Sequence, residues 1–144
     1  MKNGSVGYLI DLDADPFIPN GWSAVEHIKG GKFEYDPTKI ILYLSKEQKE
    51  KEDKGRDLRK ELRNLKVYNA NLLDFYLKKE NQFLIPEEWE NAFFWGTVYN
   101  SSSGTISIRY LHKVKGEWCW SYRWLDGFWN KDDPAVVFTV GLNK

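Results

Sequence analysis

Apolar and polar residues alternate along the last third of the chain, and this pattern is the main guide to its architecture. In 105-TISIRYLHKV-114 the even positions are Ile106, Ile108, Tyr110, His112 and Val114, while the odd ones include Ser107, Arg109 and Lys113. A period of two marks a strand with one buried face, and the even face is the apolar one. In 117-EWCWSYRWL-125 every even position is aromatic (Trp118, Trp120, Tyr122, Trp124), facing away from Glu117, Cys119, Ser121 and Arg123. The runs 93-FFWGTVY-99 and 135-AVVFTV-140 complete four expected strands. Asn100 to Gly104 and Lys115-Gly116 have hairpin length, so the strands at 93–99, 105–114 and 117–125 form an antiparallel meander. The aromatic ladder is then expected on the even, core side, against the helices, with a solvent-open platform for a sugar, base or peptide as the alternative.

The pattern changes upstream. Leu58, Leu62 and Leu65 stand at i, i+4 and i+7 and predict a helix from about Gly55 to Leu65. A second helix is expected from Asn71 as N-cap, with Asp74 in its first turn and Leu73, Tyr76 and Leu77 on its buried face. Pro86 followed by two acids predicts a short helical turn that points Trp89 inward. Residues 5–12 and 39–45 read as further strands, and 46–56, with no apolar residue, as a charged linker or exposed helix start. The fold class is therefore α+β: a C-terminal antiparallel meander of about four strands (93–140), two to three helices (about 56–90) packed on one face, and additional N-terminal strands. The 144 residues fit a single domain, 1–144.

Composition narrows function by exclusion. Lys+Arg and Asp+Glu both total 21, so no global basic excess favours nucleic acid. From Lys46 to Lys66 nine basic residues face six acidic ones, a local surplus that hints at an anionic partner. The single Cys119 excludes an intramolecular disulfide and suits a small buried hydrophobe. No apolar run is long enough to span a bilayer, and a cytoplasmic location without a membrane partner is expected.

Three groups of side chains are candidates for chemistry. Asp11, Asp13 and Asp15 follow a strand at two-residue spacing, where hard oxygen ligands can hold Mg²⁺ or Ca²⁺, although no glycine or distal glutamate falls in register for a calcium loop. His27 and His112 would form an acid–base pair if one cleft held both, with Arg109 stabilising the transition state. The segment 126-DGFWNKDD-133 sets Trp129 among charges, and Trp124, Trp129 and Arg123, rimmed by Asp126, Asp132 and Asp133, are the expected ligand-binding residues. No cofactor motif is present in the sequence, and none is expected.

The runs 84-LIPEEW-89, 93-FFWGTVY-99, 108-IRYL-111, 122-YRWLDGFW-129 and 134-PAVV-137 resemble a widespread group of small uncharacterised bacterial proteins, as do 21-GWSAVEH-27 and 58-LRKELRNLKVYNANLLDFYL-77. The resemblance implies a self-contained domain and brings no catalytic residues. The general plan is also similar to that of C-type-lectin-like domains without disulfides, as fold analogy only. The expected function is a non-enzymatic domain that binds a protein or small-molecule ligand; the alternative is a small hydrolase or nuclease using His27 and His112.

Overall fold

The computed structural model describes residues 7–139. Residues 5 and 6 of the first expected strand, and residue 140 of the last, lie outside the described residues. In chain order the elements are β1 (Leu9–Asp11), β2 (Ser23–His27), β3 (Lys32–Glu34), β4 (Ile40–Tyr43), α1 (Lys46–Glu50), β5 (Asp53–Lys54), α2 (Gly55–Leu62), α3 (Ala70–Leu77), β6 (Asn91–Phe93), β7 (Thr97–Asn100), β8 (Ile106–Val114), β9 (Glu117–Trp124), β10 (Phe128–Trp129) and β11 (Ala135–Phe138). The fold is α+β, with one large sheet of seven strands and two small sheets, β1–β3 and β5–β10.

The sheet is organised around β8. One edge of β8 carries β9, and the other is shared by β6 and β7, which pair with it in succession. Between them, at Phe94 to Gly96, the chain steps out of the ladder: Gly96 donates its N–H to the Tyr68 carbonyl and accepts from Ile28 N–H. The step forks the sheet. β2 adds to β7, while β11 adds in parallel to β6 and carries β4 on its far side. Asn69 sits in the fork: a Cβ on Gly96 would stand 2.6 Å from its Cα, so only glycine admits so close an approach. The Asn69 side chain accepts from Asn71 N–H as the cap of α3, and donates to the carbonyls of Leu12 and Ile28.

Both faces of the sheet are covered. On one, Leu72, Leu73 and Tyr76 of α3 pack with Phe94, Leu111 and Val136. On the other, Leu58 and Leu62 of α2 pack with Phe93, Trp95, Ile108 and Val137. β11 contributes alternate residues to both cores, which explains its uninterrupted apolar run. Helices on one face only, as expected from the sequence, would have left Leu111 and Phe94 wet.

Other differences are local. The cap of α3 is Asn69, two residues earlier than expected, because its side chain reaches both the helix end and the fork. Pro86 opens a turn closed by Trp89 N–H, not a helix, though Trp89 is buried as expected. The run 93–99 divides into β6 and β7 because Gly96 breaks it. Strands β2 and β3 are not expected from the sequence; they flank the Gly30-Gly31 break and are too short for a clear apolar alternation.

Candidate functional site

The aromatic ladder lies on β9, and β9 is an edge strand: among the described residues nothing pairs with its outer side. The hairpin loop is two residues, Lys115 and Gly116, both at positive φ (51° and 80°), as a type I′ turn requires. A two-residue loop pairs Val114 with Glu117, so each even residue of β9 stands opposite an odd residue of β8. Trp118, Trp120, Tyr122 and Trp124 therefore face Lys113, Leu111, Arg109 and Ser107, on the α3 side. The expectation that the ladder shares the even face of β8 is corrected by this register. Trp118 and Trp120 pack at the margin of the α3 core, whereas Tyr122 is 42% and Trp124 58% exposed.

The ladder is braced from below and from the side. Arg109, 1% exposed, forms a two-pronged pair with Asp74 (3.0 and 2.9 Å) and lies 4.2 Å from the centre of the Trp120 ring. Burial alone would lower its pKa, but the Asp74 carboxylate and the Tyr99 hydroxyl raise it on balance, so it stays charged. Trp22 meets Tyr122, Tyr99 and Trp120 edge-on at 4.8, 5.5 and 5.9 Å. Phe17, exposed, covers the outer side of Arg109 at 5.3 Å.

The hydrogen-bond phase of β9 decides what its free edge offers. Leu125 N–H donates to the Ile106 carbonyl, so the odd residues of β9 direct their backbone groups to β8 and the even ones direct theirs outward. The open edge thus presents the N–H and C=O of Trp118, Trp120, Tyr122 and Trp124. The pairing with β8 runs eight residues without a bulge, and Trp118 to Tyr122 contains no proline or charge. By contrast β2, another edge strand of the sheet, carries a bulge between Ala24 and Glu26, a usual way to blunt an edge.

The other expected binding residues are placed differently. Trp129 is 0% exposed: its indole N–H donates to the Leu125 carbonyl, and its ring packs on Phe93 and Trp95. Arg123, paired with Asp133, lies over the ring at 5.0 Å, and β10 turns the ring into the α2 core, so it has no free face for a ligand. A Cβ on Gly55 would overlap the same Leu125 carbonyl at 1.6 Å. Arg123 joins the buried Asp133 at 2.6 Å and donates to the Phe128 carbonyl, which locks the segment into a loop. Asp126 pairs with Arg56 on the exposed surface, and Asp132 accepts from Asn91 through its carbonyl. Of the set, Trp124 alone is an open aromatic.

The two histidines lie on opposite faces of the sheet, so the acid–base pair is not assembled. His27 sits on the α3 side: Ala70 N–H donates to Thr97 Oγ1, which is 2.9 Å from His27 Nδ1, while His27 Nε2 is 3.0 Å from the Ala14 carbonyl. These partners fit a neutral ring protonated at Nε2, and burial lowers its pKa. His112 shares the even face of β8 with Tyr110 and lies 3.5 Å from the half-buried Cys119 sulfur. Arg109, the expected transition-state cation, is already occupied by Asp74.

Asp11 and Asp13 serve their own turns, accepting from Asp13 N–H and Gly31 N–H, and Asp15 is exposed. These three do not converge. The carboxylates that do are Glu47, Asp53 and Glu61, with oxygens within 4.8 Å of one another. Oxygen donors of this kind suit a hard divalent cation, but hydroxyls already serve two of them. Tyr43 donates to Glu61, Ser45 donates to Asp53 at 2.9 Å, and burial beside Glu61 pushes the Tyr43 hydroxyl up to about 12. Sequence reading missed the cluster because its members belong to three elements.

Comparison with protein-family models, with curated proteins and with solved structures returns no match.

Proposed function

We propose that the chain is a non-enzymatic interaction domain whose β9 edge takes up an extended segment of a protein partner as an added strand. The observation that carries this reading is the outward-facing, unblunted edge of β9, four residues of which pair exposed backbone groups with aromatic side chains. Main-chain hydrogen bonds would supply affinity, and Tyr122, Trp124 and Trp22 would read the side chains of the guest strand from the α3 face. A cytoplasmic domain of the bacterial group it resembles, without cofactor and without a nucleic-acid or membrane partner at this edge, is the setting proposed for it. No helix among the described residues is long and apolar enough to cross a membrane.

The test is selection of binders from a random-peptide library, followed by amide hydrogen exchange. In the free domain the amides of Trp118, Trp120, Tyr122 and Trp124 should exchange on the order of 100-fold faster than those of Cys119, Ser121 and Arg123, because only the latter are bonded to β8. A bound peptide should slow the even set. Tyr122→Pro removes one outward N–H at an edge position where proline is tolerated, and should abolish binding while the fold persists. Binders that leave the even amides unprotected, or that ignore Tyr122→Pro, would overturn the reading. Concentration-dependent protection without peptide would identify the added strand as a second copy of the chain.

A further inference from the structure

We infer that a second, separate site, between β2, the end of α2 and residues 64–67, binds an organic anion: a carboxylate or phosphate carried on an apolar body. A groove of about 600 Å³ opens there, lined by the apolar Ile28, Leu62, Leu65 and Val67 and by the cationic Lys29, Arg63 and Lys66. It continues inward to a recess of about 20 Å³ bounded by Arg59 and Trp95. A recess of that size holds a single oxygen-sized group.

Two buried donors at this recess lack an acceptor, the indole N–H of Trp95 and the Nε–H of Arg59. Trp95 is only 3% exposed. A buried donor without an acceptor is costly, so an oxygen acceptor that fills the recess recovers a local penalty. Glu26 already shows how an oxyanion is held here, with its carboxylate 3.0 Å from Arg59 and 3.5 Å from Arg63. It accepts from one terminal nitrogen of Arg59, Nη2, and leaves Nε and the indole unmet.

The charge around the groove points the same way. The chain as a whole is neutral, yet this groove collects Lys29, Arg59, Arg63 and Lys66 against one carboxylate, Glu26. A neighbouring depression of about 380 Å³, sharing Gly30 and Lys66, adds Lys32 and Lys39 and no acid. The end of α2 would oppose an anion through its carbonyls, but those of Arg59, Glu61 and Leu62 are taken by Arg63, Asn64 and Leu65 N–H groups. The apolar walls separate this site from one for a bare inorganic anion.

The experiment uses protein carrying ¹⁵N-labelled tryptophan, with the Trp95 indole signal assigned by its loss in Trp95→Phe. Titration with octanoate and with octyl phosphate should shift that signal saturably, and the stronger of the two identifies the head group. Arg63→Gln, an exposed substitution that leaves the core intact, should weaken binding about tenfold or more, because a charge-assisted hydrogen bond is lost. Lys131→Gln, remote from the groove, should change nothing. The inference fails if neither probe moves the Trp95 signal, which would leave a buried water as the acceptor. It also fails if Arg63→Gln binds normally, if inorganic phosphate binds as well as octyl phosphate, or if a single-stranded oligonucleotide displaces octanoate at lower concentration.

Discussion

Arg109 holds a charge almost out of contact with water, under the aromatic face of β9. Such a group persists only when its partner is well placed, and the two-pronged pair with Asp74 meets that need. Asp74→Asn would leave the guanidinium buried and underpaired, and should cost about 3 kcal/mol, the low end for a broken buried pair because Asp74 keeps 30% exposure. Replacing both, as Asp74→Leu with Arg109→Met, should recover most of that loss in urea unfolding. An equal loss in the single and double variants would mean that Arg109 is held by its aromatic neighbours instead. Sequence alternation did place Arg109 on the polar side of β8. What it did not show is that a helix covers that side, since Asp74 read as a helix-start acid.

Among the elements, the joint of β2, β7 and α3 holds a histidine, His27, between Thr97 and the Ala14 carbonyl. Thr97 accepts from Ala70 N–H and meets His27 Nδ1, so a proton added at Nδ1 would remove the acceptor of the Thr97 hydroxyl. Burial lowers the His27 pKa below its ordinary 6.5, while the unfolded chain protonates normally. The unfolded state then binds more protons below pH 6.5. Stability should therefore be level above that pH and fall as the pH drops from 6.5 towards the folded pKa. His27→Gln should flatten this slope in urea midpoints measured between pH 5 and 7.5; an unchanged slope would place the effect elsewhere. Strand β9 teaches a different lesson about elements. Its alternation was legible in the sequence, and so was the two-residue loop, which by itself pairs Val114 with Glu117 and turns Trp118 towards the Lys113 side. The parity of the hairpin was the available signal, and reading each strand separately passed over it.

For the whole molecule, the fork at Gly96 joins the two cores, since β6, β7, β2 and α3 all meet beside it. Gly96→Ala should cost about 2–3 kcal/mol by overpacking against the Asn69 backbone, and both faces should unfold in one shifted transition, followed by tryptophan fluorescence and circular dichroism. Two separated transitions would show that the faces are independent. The amino-acid sequence by itself determined what depends on near neighbours: the helix over Leu58 and Leu62, the strands β8 and β9, the α+β class and the absence of a disulfide. Periodicity, capping and turn chemistry act over a few residues and are written directly in the chain. Tertiary structure decided the rest. It buried Trp129, divided the two histidines between faces, left β9 at an edge and gathered Lys29, Arg59, Arg63 and Lys66 around one groove. Each of these depends on which distant strands pair and which face a helix covers, and a free energy shared among remote residues leaves no local period to read.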